Sequence, residues 1–409
     1  MFKENELLRL LGCFFLFIAL MFHPASGFGA EKFVSYLSLA DYTGPIAGLN
    51  VTADMGAQDY CKYINDQGGV KGVKIRFIGV DTRYDVARMI SAYKRHRRGE
   101  RVYLMNSISS GGAKALSPLI KRDKIVQYAP HDGEMVAHPG WSFTWGPTYP
   151  DMFCAMMNWI LKDWKAKANS GAPIVGYMGW DNPYGKEPLK GGREYAEKLG
   201  IKLLKPEFFP PATLDSSIYL NRLANADADY IIVGGIDPNP TNVLRDAHKL
   251  GLTKSIQFVT DWWGPSEQVG IKSRPLATEG TVVIAFFVKG EDARKNPMAK
   301  LWQKYQKKPL AEMPGQYLMG MTWIMNYAKA LEMVLANVEY EKLNGDLIYQ
   351  AFQNLTGFQR EGIIGPCTYS KTSRRGSRDV RFYRVKNRKS VPISGWITAP
   401  DGVSMYDEW

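Results

Sequence analysis

Val102-Tyr103-Leu104-Met105-Asn106-Ser107-Ile108-Ser109-Ser110-Gly111-Gly112-Ala113 is the stretch on which the reading of this chain turns. Val102 to Ser107 has the length and apolar content of a buried strand. Ile108 to Gly112 is a short loop of small polar residues, and Ala113 to Lys121 continues as a helix. Strand, loop and helix in that order are half of a βα unit. In open α/β sheets, the loops at the C-terminal ends of strands line ligand crevices.

The same rhythm runs outward in both directions. Upstream, Phe33 to Leu39 reads as a strand, Asp41 to Pro45 as its loop, and the next helix puts Ala53, Ala57, Cys61 and Ile64 on one face before stopping at Gly68-Gly69. Val73 to Val80 is a strand and Val86 to Arg97 a helix, while Ile125 to Ala129 is a further strand downstream. A second round follows with the helix Tyr149 to Trp164, the strand Ile174 to Met178, the helix Leu189 to Leu199 and the strand Ile201 to Phe208. Its last pair is the strand Tyr230 to Val233 and the helix Thr241 to Leu250. Strands alternating with helices at this spacing predict parallel sheets covered on both faces. After that come an apolar strand from Gly280 to Phe287, a long helix from Gly315 to Val334, and a tail from Gly365 that reads as β hairpins.

Size and composition agree with two lobes. The chain has 409 residues, 45% of them hydrophobic and 12% aromatic, more than one hydrophobic core usually serves. Lys3 and Arg9 precede the apolar run Leu10 to Phe22 and the small residues Pro24 to Gly27, the order of a secretory signal. That run is shorter than the roughly 20 residues needed to span a bilayer. Residues 1–30 are therefore expected to be removed, leaving an exported soluble protein in the periplasm. Most of the apolar run follows Cys13, which argues against lipoprotein acylation there. Cys61, Cys154 and Cys367 remain, so at most one disulfide forms within the chain. The net charge is +12, with basic residues concentrated in Lys94 to Arg98 and in Lys371 to Lys389. Attraction to an anionic membrane is one reading of these segments, but two solvated faces are expected instead. An exported chain without a nucleic-acid-binding module is not expected to bind nucleic acid.

Catalytic equipment is sparse. The sequence has no G-x-S-x-G, H-E-x-x-H, C-x-x-C, phosphate-loop or G-x-G-x-x-G signature. Beyond the signal the histidines are His96, His131, His138 and His248, poor material for a metal site or a histidine-driven enzyme. No enzyme activity, metal or cofactor is expected. What the chain offers is four small-polar loops at strand ends: Thr43-Gly44-Pro45, Ser109 to Gly112, Pro130 to Gly133, and Gly234 to Asp237. Ser109-Ser110-Gly111-Gly112 combines two hydroxyls with the amides of a helix N-terminus, a favourable place for a carboxylate. By itself such a loop is equally an ordinary helix cap.

Taken together these stretches resemble the leucine/isoleucine/valine-binding family of ABC-importer solute-binding proteins. The resemblance rests on Thr43 to Ala47, Ile64-Asn65-Asp66-Gln67-Gly68-Gly69-Val70, Ser109 to Ala113, Tyr184-Gly185, Leu244 to Ala247 and Gly395 to Pro400. It implies a type I periplasmic-binding fold: two Rossmann-like lobes with parallel sheets, joined by three hinge crossovers. These are placed near Gly146-Pro147, Glu279-Gly280 and Gly362 to Gly365. Residues 31–146 and 280–362 would form one lobe, and 147–279 and 363–409 the other. The resemblance also implies capture of a small ligand for the membrane subunits of an ABC importer, with an amino acid's carboxylate at Ser109 and Ser110, helped by the turn from His131 to Gly133. The ligand's ammonium would meet Asp237 or Asp261. Tyr42, Tyr149 and Trp262 complete the expected contacts. The chain departs from the family at His131-Asp132 and at Thr260-Asp261-Trp262-Trp263, where an aromatic or cationic ligand would suit the tryptophans. A sensor of the same fold serving a receptor, or less readily an exported enzyme, is the alternative reading.

Overall fold

The structure is a computed structural model and describes residues 31–409; the expected signal peptide lies outside the described residues. Two sheets organise the chain. The first contains β1 (Phe33–Ala40), β2 (Lys74–Asp81), β3 (Val102–Ser107), β4 (Val126–Tyr128) and β5 (Ser142–Phe143), in the order β2-β1-β3-β4-β5. All its pairings are parallel. The second contains β6 (Ile174–Trp180), β7 (Lys202–Leu203), β8 (Glu207–Phe209), β9 (Tyr230–Val233), β10 (Gln257–Thr260), β11 (Val282–Ala285), β12 (Asp379–Lys386), β13 (Lys389–Pro392) and β14 (Ile397–Thr398). Its β6 to β11 portion is parallel, and β12 and β13 add antiparallel at one edge as the expected tail hairpin.

Local chemistry explains the departures from the expected elements. Ile201 to Phe208 divides into β7 and β8, which pair with different stretches of β6; Pro206 between them has no N–H to give a ladder. Val282–Ala285 pairs with β10 on one side and β12 on the other, so it belongs to the second sheet. The return to the first lobe was expected at residue 280, one strand too early. An apolar run buried on both faces looks the same in either sheet, and only its pairing partners reveal which sheet owns it.

Helices cover both sheets. Those that scaffold the cleft are α1 (Ala47–Asp66), α2 (Val86–His96), α3 (Ser110–Asp123), α4 (Tyr149–Ala166), α5 (Asn239–Lys249) and α6 (Gly315–Leu335). On α6 every residue from Gln316 to Tyr327 is buried, as expected of a helix with protein on all sides. It crosses α1 at very close range. A Cβ on Gly56 would stand 1.8 Å from the Tyr317 carbonyl oxygen, and one on Gly320 1.8 Å from that of Ala53.

Three segments of chain run side by side between the sheets. Thr144 bridges Arg375, and Phe287 bridges Ile364. Arg360 is fully buried and donates to the carbonyls of Trp145 (2.7 Å) and Gly365. A Cβ on Gly146 would meet the Phe286 ring at 2.7 Å. The tail arginines, read as a solvated face, are in part structural cross-links. Arg374 is buried and donates to Gly140 O (2.9 Å) and Tyr349 Oη (2.7 Å). Arg375 bridges Asp151 (3.0 Å) and Asp401 (2.8 Å), and Arg381 reaches Asp292 (2.8 Å). Spacing alone gave no sign of these carboxylate partners. Cys61, Cys154 and Cys367 are buried and unpaired.

Candidate ligand-binding site

The loops after the parallel strands converge on one small cavity between the sheets. From the first sheet come Tyr84, Ile108, Ser109, Ser110, Pro130 and His131. Trp145 and Tyr149 contribute from the crossover and the start of α4, and Tyr184, Ile236 and Trp263 from the second sheet. The free space amounts to about 10 Å³, room for roughly one water. The two halves are closed on each other.

Ser109 and Ser110 do different work. Ser109 is the N-cap of α3, its Oγ accepting the Gly112 N–H at 3.2 Å. Ser110 Oγ is buried without a partner. The amides of Ser110 and Gly111 are among those a helix leaves without intrahelical acceptors. Beside them, His131 is fully buried and packs against four aromatic rings: Trp145 (4.4 Å between centroids), Phe286 (4.7 Å), Trp262 (5.1 Å) and Tyr149 (6.0 Å). Its Nδ1 lies 2.6 Å from the Pro147 carbonyl oxygen. A carbonyl only accepts, so Nδ1 carries the proton and Nε2 presents a lone pair. Burial pushes this imidazole down to about 3, so it is neutral.

Asp132 follows in the same turn. It is fully buried, and neither carboxylate oxygen has a hydrogen-bond partner. Burial, then the charge of Glu187, raises it to about 7. Around it, Lys114 pairs with Glu134 at 2.6 Å, and Lys190 approaches Glu187 at 3.5 Å and Glu134 at 3.8 Å.

The second half-site has its own acids, and they are occupied. Asp261 accepts from Tyr184 Oη at 2.7 Å and from the Trp263 N–H at 2.9 Å. Burial lifts it to about 7. Asp237 accepts from Thr241 Oγ1 at the start of α5, and from the Ser266 N–H at 3.4 Å; burial raises it as well. Lys289 is buried nearby, donates to the Trp262 carbonyl at 3.2 Å, and is lowered by burial to about 8.

Of the nine contacts expected from sequence, Ser109, Ser110, His131 and Tyr149 line the cavity. Asp261 and Trp262 lie behind the lining, Trp262 stacked on Tyr149 at 5.3 Å and 12°. Asp237 is bound into its own loop. Tyr42 lies elsewhere, its hydroxyl donating to Asp54 at 2.6 Å in space that a Cβ on Gly79 would fill. Gly133 faces away too, since a Cβ there would strike the Trp409 ring at 2.3 Å. The sequence reading did not single out Tyr84. It sits in the loop after β2 with φ of +59°, a conformation bulky residues rarely adopt. That loop also follows a strand and feeds a helix capped by Asp85, so the signal was present. Ile108, Pro130 and Ile236 lie within the polar loops and Trp145 shortly after β5; they are apolar or aromatic residues with no chemistry of their own to mark them.

Comparison with known proteins places this architecture. The family model for periplasmic binding proteins matches residues 38–390, and the chain belongs to that family. A relative from Brucella melitensis biotype 1, Leu/Ile/Val-binding protein homolog 3, is 23% identical, the match covering 87% of this chain and 92% of the relative. The structure of a branched-chain amino acid ABC transporter protein from Thermus thermophilus with bound valine superposes with a TM-score of 0.81 at 19% identity, covering 91% of this chain and 98% of that one. A solute-binding protein from R. palustris in complex with 4-hydroxybenzoate gives a TM-score of 0.76 at 15% identity, covering 90% and 98%. The type I periplasmic-binding fold implied by the sequence is thus the fold of this chain, and these relatives are binding proteins rather than enzymes.

Proposed function

We propose that this protein is the extracytoplasmic receptor of an ABC importer, exported to the periplasm, and that it captures a small amino-acid-like or carboxylate-bearing solute between its two lobes. The observation that carries this reading is the closed cavity between the two sheets, walled by strand-end loops from both. Ser110 and the first-turn amides of α3 supply donors suited to a carboxylate. Valine and 4-hydroxybenzoate, bound by the two similar structures, both carry one. Among the described residues no helix is long and apolar enough to cross a membrane, consistent with a partner supplying the channel.

A cavity this small admits a solute only when the sheets part, so binding would be coupled to hinge closure, and the closed form would differ in shape from the open one. The membrane subunits would read that difference. The test is a thermal-shift screen of ligand-free protein against amino acids, aromatic acids, aliphatic carboxylates, amides and sugars. At a hundredfold excess over Kd, a ligand that binds only the folded state adds about 2.7 kcal/mol. A shift from carboxylate-bearing compounds supports the reading. Shifts from sugars alone, or from nothing, overturn it.

A further inference from the structure

The polar atoms left without partners at the cleft are unevenly distributed. His131 Nε2 and both oxygens of Asp132 are buried acceptors with nothing donating to them. An unpaired buried carboxylate is costly unless a positive or hydrogen-bonding group meets it. Among the described residues no basic side chain bonds to Asp132: Lys114 is committed to Glu134, and Lys190 lies between Glu134 and Glu187. Three acids therefore face two lysines at this corner. Tyr84 and Tyr149 are the other titratable groups close by. The aromatic rings around His131 add electron-rich faces, which attract cations.

Resting on the solute-binding reading above, we infer that the ligand carries a protonated amine or amidine, and that His131 Nε2 and Asp132 on the first-sheet side receive its N–H groups. This reverses the expectation that the second-sheet acids Asp237 and Asp261 do so. Those acids already accept from Thr241, Tyr184 and backbone amides. A solute with an ammonium at Asp132 and a carboxylate at the α3 N-terminus matches both sets of free atoms.

The test is calorimetric titration with paired probes that differ only in the amine: leucine against 4-methylpentanoate, phenylalanine against 3-phenylpropanoate, with agmatine and benzamidine as cations lacking a carboxylate. At least one amine or amidine probe is expected to bind, at least tenfold more tightly than a deaminated partner where it has one. Asp132→Asn should weaken it tenfold or more, the scale of a lost charge-assisted hydrogen bond. Asp132→Ser provides a second variant if the first loses its native melting transition. Deaminated carboxylates binding as well as their amines, or a variant within twofold of wild type, would overturn the inference while leaving the binding-protein reading intact. No binding by any probe, with no shift in the wider screen, removes that reading and the inference with it.

Discussion

The two walls of the cleft are built alike and finished differently. Each is a set of loops at the C-terminal ends of parallel strands, and each buries acids in an aromatic surrounding. On the second-sheet wall Asp261 and Asp237 hold hydrogen bonds from Tyr184, Trp263, Thr241 and Ser266. On the first-sheet wall Asp132, Ser110 Oγ and His131 Nε2 hold none. One wall uses its polar groups to keep itself together; the other holds them in reserve. Burial without partners is costly, and that cost is the ground for the proposal that a ligand's donors meet these atoms.

The largest effect that can test this contrast belongs to the finished wall. Asp261→Ala strips Tyr184 Oη and the Trp263 amide of their acceptor and leaves Lys289 short of a counter-charge. It should destabilise the protein by about 3 kcal/mol, the scale for breaking a buried charged network, seen as a lower urea midpoint. If stability is unchanged, the second wall is not self-sufficient and the contrast collapses. Gly320→Ala is a control in the scaffold behind the first wall. Its methyl would collide with the Ala53 carbonyl, and overpacking of this kind costs typically about 1–3 kcal/mol.

Asp132→Asn should act in the opposite direction. Without ligand the variant removes a buried charge that has no partner, so it should be the more stable protein by about 1 kcal/mol. The pH dependence sharpens this. Asp132 titrates near 7 when folded and near 3.9 when unfolded, so between these values the native state holds more protons than the unfolded state. The stability Asp132 contributes is therefore fully present below about 4 and is lost as pH rises toward 7. The advantage of Asp132→Asn should grow across that window in paired melts. An advantage that is flat or shrinking with pH would show that the carboxylate has an unrecognised partner.

The smallest effects separate two adjacent serines. Ser109→Ala removes the cap on Gly112 and should cost about 1 kcal/mol of stability. Ser110→Ala removes a hydroxyl that makes no hydrogen bond of normal geometry and should stay within about 0.5 kcal/mol, while weakening binding of a carboxylate-bearing ligand severalfold by titration. Equal stability losses would mean that both hydroxyls are structural.

Much of the fold was legible because burial imposes periods on a sequence. The apolar faces of α1 and α4 and the runs at β1, β3 and β9 announced the βα alternation, and three of the four polar loops, those at Ser109, Pro130 and Ile236, contribute to the cavity lining, while Thr43-Gly44-Pro45 does not. The fifth loop, with Tyr84, obeyed the same rule. It was overlooked because a single tyrosine beside Thr82-Arg83 has no distinctive chemistry. Within the site, Ser109 and Ser110 are neighbours in sequence and of one residue type, yet one is consumed as a cap and the other is free. Asp261 and Asp132 are both acids after strands, but Tyr184, 77 residues away, satisfies only one of them.

The sequence by itself determined the α/β alternation, the two-lobed plan and most of the strand-end loops that line the cavity, because strand and helix periods and turn chemistry are local properties. The tertiary structure alone decided which sheet owns Val282–Ala285, which tail arginines are cross-links, and which acids at the cleft are already satisfied. Those outcomes depend on atoms brought together from distant parts of the chain, and a hydrogen bond forms only where donor and acceptor meet within about 3 Å.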